Sequence, residues 1–163
     1  MTPSEYQNPI LCADYSDPDI VRVGDDFFMV SSSFNHVPAL PILHSTDLVN
    51  WTIINHVMDE LPLPGYDRYQ PGKGVWAPSI RWHDGKLWVC FSTPDEGIFI
   101  CHTEDPWGKW SAPHCLREAR GWIDPCPFWD DNGQAWLVHA FAHSRSGIKH
   151  KLQLFAMAPD EIG

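Results

Sequence analysis

Residues 123–141 read IDPCPFWDDNGQAWLVHAF. The stretch opens near Asp124-Pro125, continues as a short apolar run, meets Asp130-Asp131-Asn132-Gly133 and resumes as a second aromatic-rich run. Asn-Gly between two such runs is a favoured hairpin turn, because glycine tolerates positive φ. The same plan occurs twice earlier, in SDPDIVRVGDDFFMVSSS (16–33) and WAPSIRWHDGKLWVCFST (76–93). Each copy carries a residue before proline at its start: Asp17, Ala77 and Asp124. Each turns on polar residues, Gly24-Asp25-Asp26 in the first and His83-Asp84-Gly85 in the second. A third run follows each time: LPILHS (40–45), GIFICH (97–102) and KLQLFAM (151–157). The first two copies then reach a tryptophan, Trp51 and Trp110, which are expected to pack blade against blade.

Helix-period patterns are scarce, and short apolar runs broken by Asp, Gly, Asn and Pro read as all-β. A unit of about four strands recurring at roughly 50 residues predicts a β-propeller. The innermost strand of a blade lines the central axis, so the residue opening it sits at the rim of the central pocket. Asp17 and Asp124 then converge on one cavity, with Ala77 at the equivalent place between them. Proline after each is expected to hold it extended. Asp124 also precedes an apolar segment, where a buried carboxylate is costly unless paired. The plainer reading is that Asp-Pro is only a turn former. Recurrence at equivalent positions beside aromatics favours a site.

Composition narrows the partners. The 163 residues are 44% hydrophobic and 13% aromatic, with nine Trp and fifteen Pro, which fits one domain with a real core. A formal net charge of -10 without a basic patch argues against nucleic acid and anionic membrane, and suits a neutral or cationic ligand. No apolar run approaches a membrane span, and MTPSEYQNPI shows no signal pattern, so the expected location is the cytoplasm. The five cysteines, an odd number without C-x-x-C, suggest neither a disulfide framework nor a zinc site. His139 and His143 sit four apart, but in strand and loop rather than on a helix, so no metal is expected there.

The segments 8–34, 74–97 and 121–152 together resemble glycoside hydrolase family 43, in its branch of α-L-arabinofuranosidases and β-xylosidases. The resemblance implies a five-bladed propeller, with about the first three blades present in residues 1–163 and no second domain. It implies an inverting glycosidase that releases terminal α-L-arabinofuranosyl or β-D-xylosyl units from plant-type oligosaccharides without a cofactor. By position, Asp17 is the general base, and Asp124 orients the sugar and raises the pKa of the general acid. Phe34 and Trp76 are expected to shape the sugar pocket rather than only fill the core, with Asn35 as a further donor to sugar hydroxyls. The acid is a glutamate in a TIEGP-like segment beyond the third blade, and no such segment occurs here. Glu96 is the best substitute inside the chain, although an exposed loop carboxylate is the plainer reading; Glu104 and Glu118 are expected on a solvated face. Five blades need roughly 250 residues, so the expectation is the N-terminal part of a longer enzyme, inactive alone. The alternatives from other classes are a non-catalytic carbohydrate-binding propeller, an inactive remnant, or a propeller for protein interaction. Asp19 is expected beside Asp17 by strand alternation, in a structural role; Asp25, Asp26, Asp84, Asp130 and Asp131 are expected in turns. Oligomeric state is not legible.

Overall fold

A computed structural model describes residues 5–158. Strands β1 (Asp19–Val23), β2 (Asp26–Val30), β3 (Ala39–Ser45) and β4 (Thr52–Met58) form one antiparallel sheet in chain order. Strands β5 (Trp76–His83), β6 (Lys86–Thr93), β7 (Gly97–Thr103) and β8 (His114–Glu118) form a second. Strands β9 (Trp122–Trp129), β10 (Ala135–Phe141) and β11 (Leu152–Ala156) form a third, with the short helix α1 (His143–Ser146) between β10 and β11. These are the three expected blades.

The hairpins follow the turn residues. His83 pairs with Lys86 around Asp84 and Gly85, at φ 48° and 74°, the positive-φ pair that a two-residue hairpin needs. Val23 pairs with Asp26, so the first turn is Gly24-Asp25 and Asp26 belongs to β2. The expectation of Asp26 as a turn residue is therefore corrected: its Oδ1 lies 2.6 Å from His44 Nε2 on the neighbouring strand. Asp130 organises the third turn, its Oδ1 accepting from the backbone N–H of Asn132 and of Gln134.

A repeated bulge sits at each X-Pro step. Between the pairs Trp76–Ser92 and Ser79–Cys90, β5 carries one residue more than β6. Between Ile123–Ala140 and Cys126–Val138, β9 carries one more than β10. In the first blade Ser32 N–H donates to Ser16 C=O while Asp19 pairs with Val30, which gives the same surplus. Proline suits a bulge because it has no N–H to place in the ladder, and a bulge re-aims the side chain it carries.

Alternation along β6 packs both sides of the middle blade. Leu87, Val89 and Phe91 join Phe28, Val30, Ile42 and Val57 in the core between the first two blades. Trp88 and Cys90 face the other way and meet Ala135, Leu137 and Met157 of the third. Trp110 lies in the first of these cores, as expected, and precedes β8. Trp51 does not: it is half-buried before β4, its indole N–H donating to Leu48 C=O within its own loop. Arg81 ties all three blades. It donates to Asp19 Oδ2 at 2.5 Å and to Cys126 Sγ at 2.8 Å, while Asp19 Oδ2 also accepts from Ile80 N–H. Asp19 is thus structural. The bulge interrupts the alternation that would have set it beside Asp17, and the two carboxylates take different partners.

Candidate active site

Antiparallel order places the starts of β1, β5 and β9 on one face of the molecule. The β2–β3, β4–β5, β6–β7, β8–β9 and β10–β11 connections share that face. Asp17, Ala77 and Asp124 occupy its three bulges. Asp17 Oδ2 accepts from Ser32 Oγ at 2.8 Å, which fixes one carboxylate oxygen.

Asp17 and Asp124 have φ of 49° and 54°, whereas Ala77 is not among the residues at positive φ. The expectation that proline would hold them extended is corrected. Aspartate enters the left-handed region more readily than other side chains because its short carboxylate bonds locally. Such a backbone costs about 1–3 kcal/mol and clusters at functional sites. Asp124 is also exposed rather than sunk in its apolar neighbours. Solvent reaches its edge, yet the surrounding protein displaces enough water that desolvation, first, and the charge of Asp17, second, raise its pKa above the ordinary carboxylate value. The two carboxylates share one electrostatic field.

Phe34 and Trp76 meet edge to face, with centroids 5.9 Å apart and an interplanar angle of 75°. The Trp76 indole N–H donates to Gly72 C=O at 3.2 Å, and Gly72 N–H donates to Asn35 Oδ1 at 2.9 Å. Asn35 Oδ1 is therefore committed to the β4–β5 connection. Glu96 is half-buried, not an exposed loop carboxylate, and its Oε2 accepts from Tyr66 Oη at 2.9 Å. Burial, then Glu96, pushes the Tyr66 hydroxyl pKa up, so Tyr66 stays a donor to Glu96. Glu104 and Glu118 are exposed, as expected.

One cluster carried no sequence signal. The Arg145 guanidinium lies over Trp76, 5.4 Å from the ring centroid. Its Nε is 3.6 Å from Asp95 Oδ1. Asp95 also meets Arg120 Nε at 3.3 Å and Lys73 Nζ at 3.6 Å. Four connections are thus bound through one half-buried carboxylate beside the candidate pocket. Arg145 falls within SRSGIK, which the repeat does not mark.

His139 and His143 do not form a metal pair. His139 is buried, with Nδ1 2.9 Å from Ala140 C=O and its ring stacked 4.0 Å from Trp122, while His143 is exposed at the start of α1. No group of three or more His, Cys, Asp or Glu among the described residues is placed to hold a metal. Among the same residues, no helix is long and apolar enough to cross a membrane.

The profile of the Glycosyl hydrolases family 43 matches residues 6–163. A xylosidase/arabinosidase of Butyrivibrio fibrisolvens is 42% identical over 80% of this chain and 26% of its own length. A non-reducing end alpha-L-arabinofuranosidase of Bacteroides ovatus is 38% identical over 74% of this chain and 23% of its own. The crystal structure of a xylan beta-1,4-xylosidase from Bacillus halodurans C-125 superposes with a TM-score of 0.82 at 30% identity, over 96% of this chain and 32% of that one. The chain spans about a quarter of the length of the curated relatives it matches. Three blades opening on the same X-Pro bulge, together with a match along nearly the whole sequence, mean that this chain belongs to family 43 of the glycosyl hydrolases and carries the first blades of its propeller.

Proposed function

We propose that the protein is an inverting glycosidase releasing terminal α-L-arabinofuranosyl or β-D-xylosyl units from neutral plant-type oligosaccharides, with residues 1–163 forming about the first three blades of its propeller domain. The observation that carries this reading is the placement of Asp17 and Asp124 in equivalent opening bulges of the first and third blades, both at positive φ, where burial and then the charge of Asp17 raise the pKa of Asp124. Inversion needs a carboxylate that takes a proton from water on one face of the sugar and a protonated carboxyl on the opposite side, roughly 6.5–9.5 Å away. Asp17 is the base. Ser32 holds its Oδ2, and Oδ1 takes the proton as water attacks the anomeric carbon. Asp124 orients the sugar, and its negative charge disfavours ionisation of the proton donor. Family resemblance assigns that donor to a glutamate following the third blade. Glu96 does not suit the role, because Tyr66 already occupies its Oε2. Phe34 and Trp76 offer ring surface to the C–H faces of the sugar, and the amide nitrogen of Asn35 donates to a hydroxyl. Proton transfer among carboxyls and water requires no cofactor.

The test is proton NMR of hydrolysis by the full-length natural protein on aryl α-L-arabinofuranosides and aryl β-D-xylosides. The expected first product is the anomer of inverted configuration. Product of retained configuration contradicts the base role of Asp17.

A further inference from the structure

Three cations converge on Asp95 at the face that carries Asp17 and Asp124: Lys73 from the β4–β5 connection, Arg120 from β8–β9 and Arg145 from α1. One carboxylate balances only one of them. Ion pairs at a partly open surface add little stability, so the cluster is more than charge balance or folding requires. What it supplies is position, and two routes lead from it to Trp76.

The first route runs over the ring. Arg145 sets its Nε 3.6 Å from Asp95 Oδ1 and its guanidinium carbon 5.4 Å from the Trp76 ring centroid. A planar guanidinium can do both at once, because it pairs with a carboxylate along its edge and meets an aromatic ring with its face. The backbone holds Arg145 there. Gly121 N–H donates to Pro94 C=O, and Ala142 N–H, just before α1, donates to Gly121 C=O, so three connections are tied in series. Gly121, at φ 82°, lies so close to α1 that a Cβ would stand 2.9 Å from Ser146 Cβ and 3.0 Å from Arg145 Cβ. Only glycine permits that approach.

The second route reaches the ring nitrogen. Lys73 Nζ is 3.6 Å from Asp95 Oδ2, and Lys73 follows Gly72, whose C=O accepts from the Trp76 indole N–H at 3.2 Å. The neighbouring Glu96 fastens the same connection by accepting from Tyr66 Oη. Asp95 thus governs both what lies over the indole and what its N–H bonds to.

We propose that Asp95 is a positioning residue: through Arg145 and Lys73 it sets the orientation of Trp76, and with it one wall of the sugar pocket. The inference rests on the proposed function for the part Trp76 plays toward the sugar. The task of Asp95 is to hold a ring, not to move a proton.

The test is a cycle of variants in the full-length natural protein: Asp95→Asn, Trp76→Ala and the two combined, assayed on p-nitrophenyl β-D-xyloside and p-nitrophenyl α-L-arabinofuranoside. Asp95→Asn is expected to lower kcat/KM about tenfold, the scale of a small misplacement of a pocket group. In the Trp76→Ala background it should change kcat/KM by less than about twofold. No loss in Asp95→Asn, or an equal loss in both backgrounds, overturns the proposal, since a merely structural carboxylate acts whether or not the indole is present. If Asp95→Asn melts below the assay temperature, Arg145→Lys, which keeps the charge and gives up the flat face, takes its place in the cycle with the same outcomes. The ring itself is read by the Trp76 indole N–H resonance in nitrogen-15-labelled protein, assigned by its absence in Trp76→Ala. That resonance should shift in whichever of these variants enters the cycle, and an unmoved resonance overturns the proposal. If the wild type hydrolyses neither substrate, the glycosidase reading fails, and the resonance alone decides whether Asp95 positions the ring.

Discussion

The first and third blades carry an aspartate at positive φ in their opening bulge, whereas the second carries alanine in the same bulge without that backbone. The bulge therefore belongs to the fold, since all three blades build it. The strained backbone belongs to the site, since it accompanies only the two carboxylates. Blade packing supports the distinction. The middle blade is buried on both faces by the cores on either side of it, yet its opening residue is the one without charge.

The comparison can be broken most sharply at Asp17. Asp17→Asn should lower kcat by about 10²–10⁴-fold, the range for removing a general base, with little change in the melting temperature. Activity within tenfold of wild type would remove the functional meaning of the first bulge. Ala77→Asp would make the three openings alike. A third carboxylate on the same rim should cost about 1 kcal/mol at pH 7 by like-charge repulsion, and the deficit should shrink as the pH falls and the carboxyls protonate; thermal unfolding at pH 7 and pH 4 reads both.

Asp124→Asn tests the third bulge by linkage. Because the folded-state pKa of Asp124 is raised, the folded protein holds its proton more tightly than the unfolded chain. The cost of the ionised form is absent below the ordinary carboxylate pKa and grows as pH rises through the raised value. Asp124→Asn should therefore melt slightly above wild type at pH 7, by less than about 1 kcal/mol given screening at its exposed edge, and the gap should close in acid. A pair of glycine substitutions separates backbone from charge. Asp124→Gly should be more stable than Asp124→Ala by about 1 kcal/mol, because glycine accepts positive φ, whereas Ala77→Gly should lose about 0.5–1 kcal/mol; denaturant midpoints compare the pairs.

Much of this was legible in the sequence. The recurring X-Pro, turn and aromatic-run pattern, with the run that follows each copy, marks nine of the eleven strands, all but β4 and β8, and the equivalence of Asp17, Ala77 and Asp124. Local rules failed where tertiary structure overrode them. Proline's usual effect on its neighbour predicted an extended Asp17 and Asp124, and the bulge supplied the opposite sign of φ. Apolar neighbours suggested a sunken Asp124, but the rim leaves its edge open. The Asp95 cluster escaped because single charges in connections have no period, and only the shared face brings Lys73, Arg120 and Arg145 together. Asp26 lies next to the turn in sequence but pairs with Val23 as the first residue of β2, and Trp51 stays in its own loop although it resembles Trp110 in sequence.

The coupling of the two bulge carboxylates is tested most directly by carbon-13 NMR titration of the Asp124 carboxyl in the full-length natural protein and in Asp17→Asn. The account predicts a pKa above the ordinary carboxylate value in the wild type and a downward shift in the variant, with the part due to burial remaining. An identical titration in the two proteins would contradict it, since Asp17 would then exert no field at Asp124.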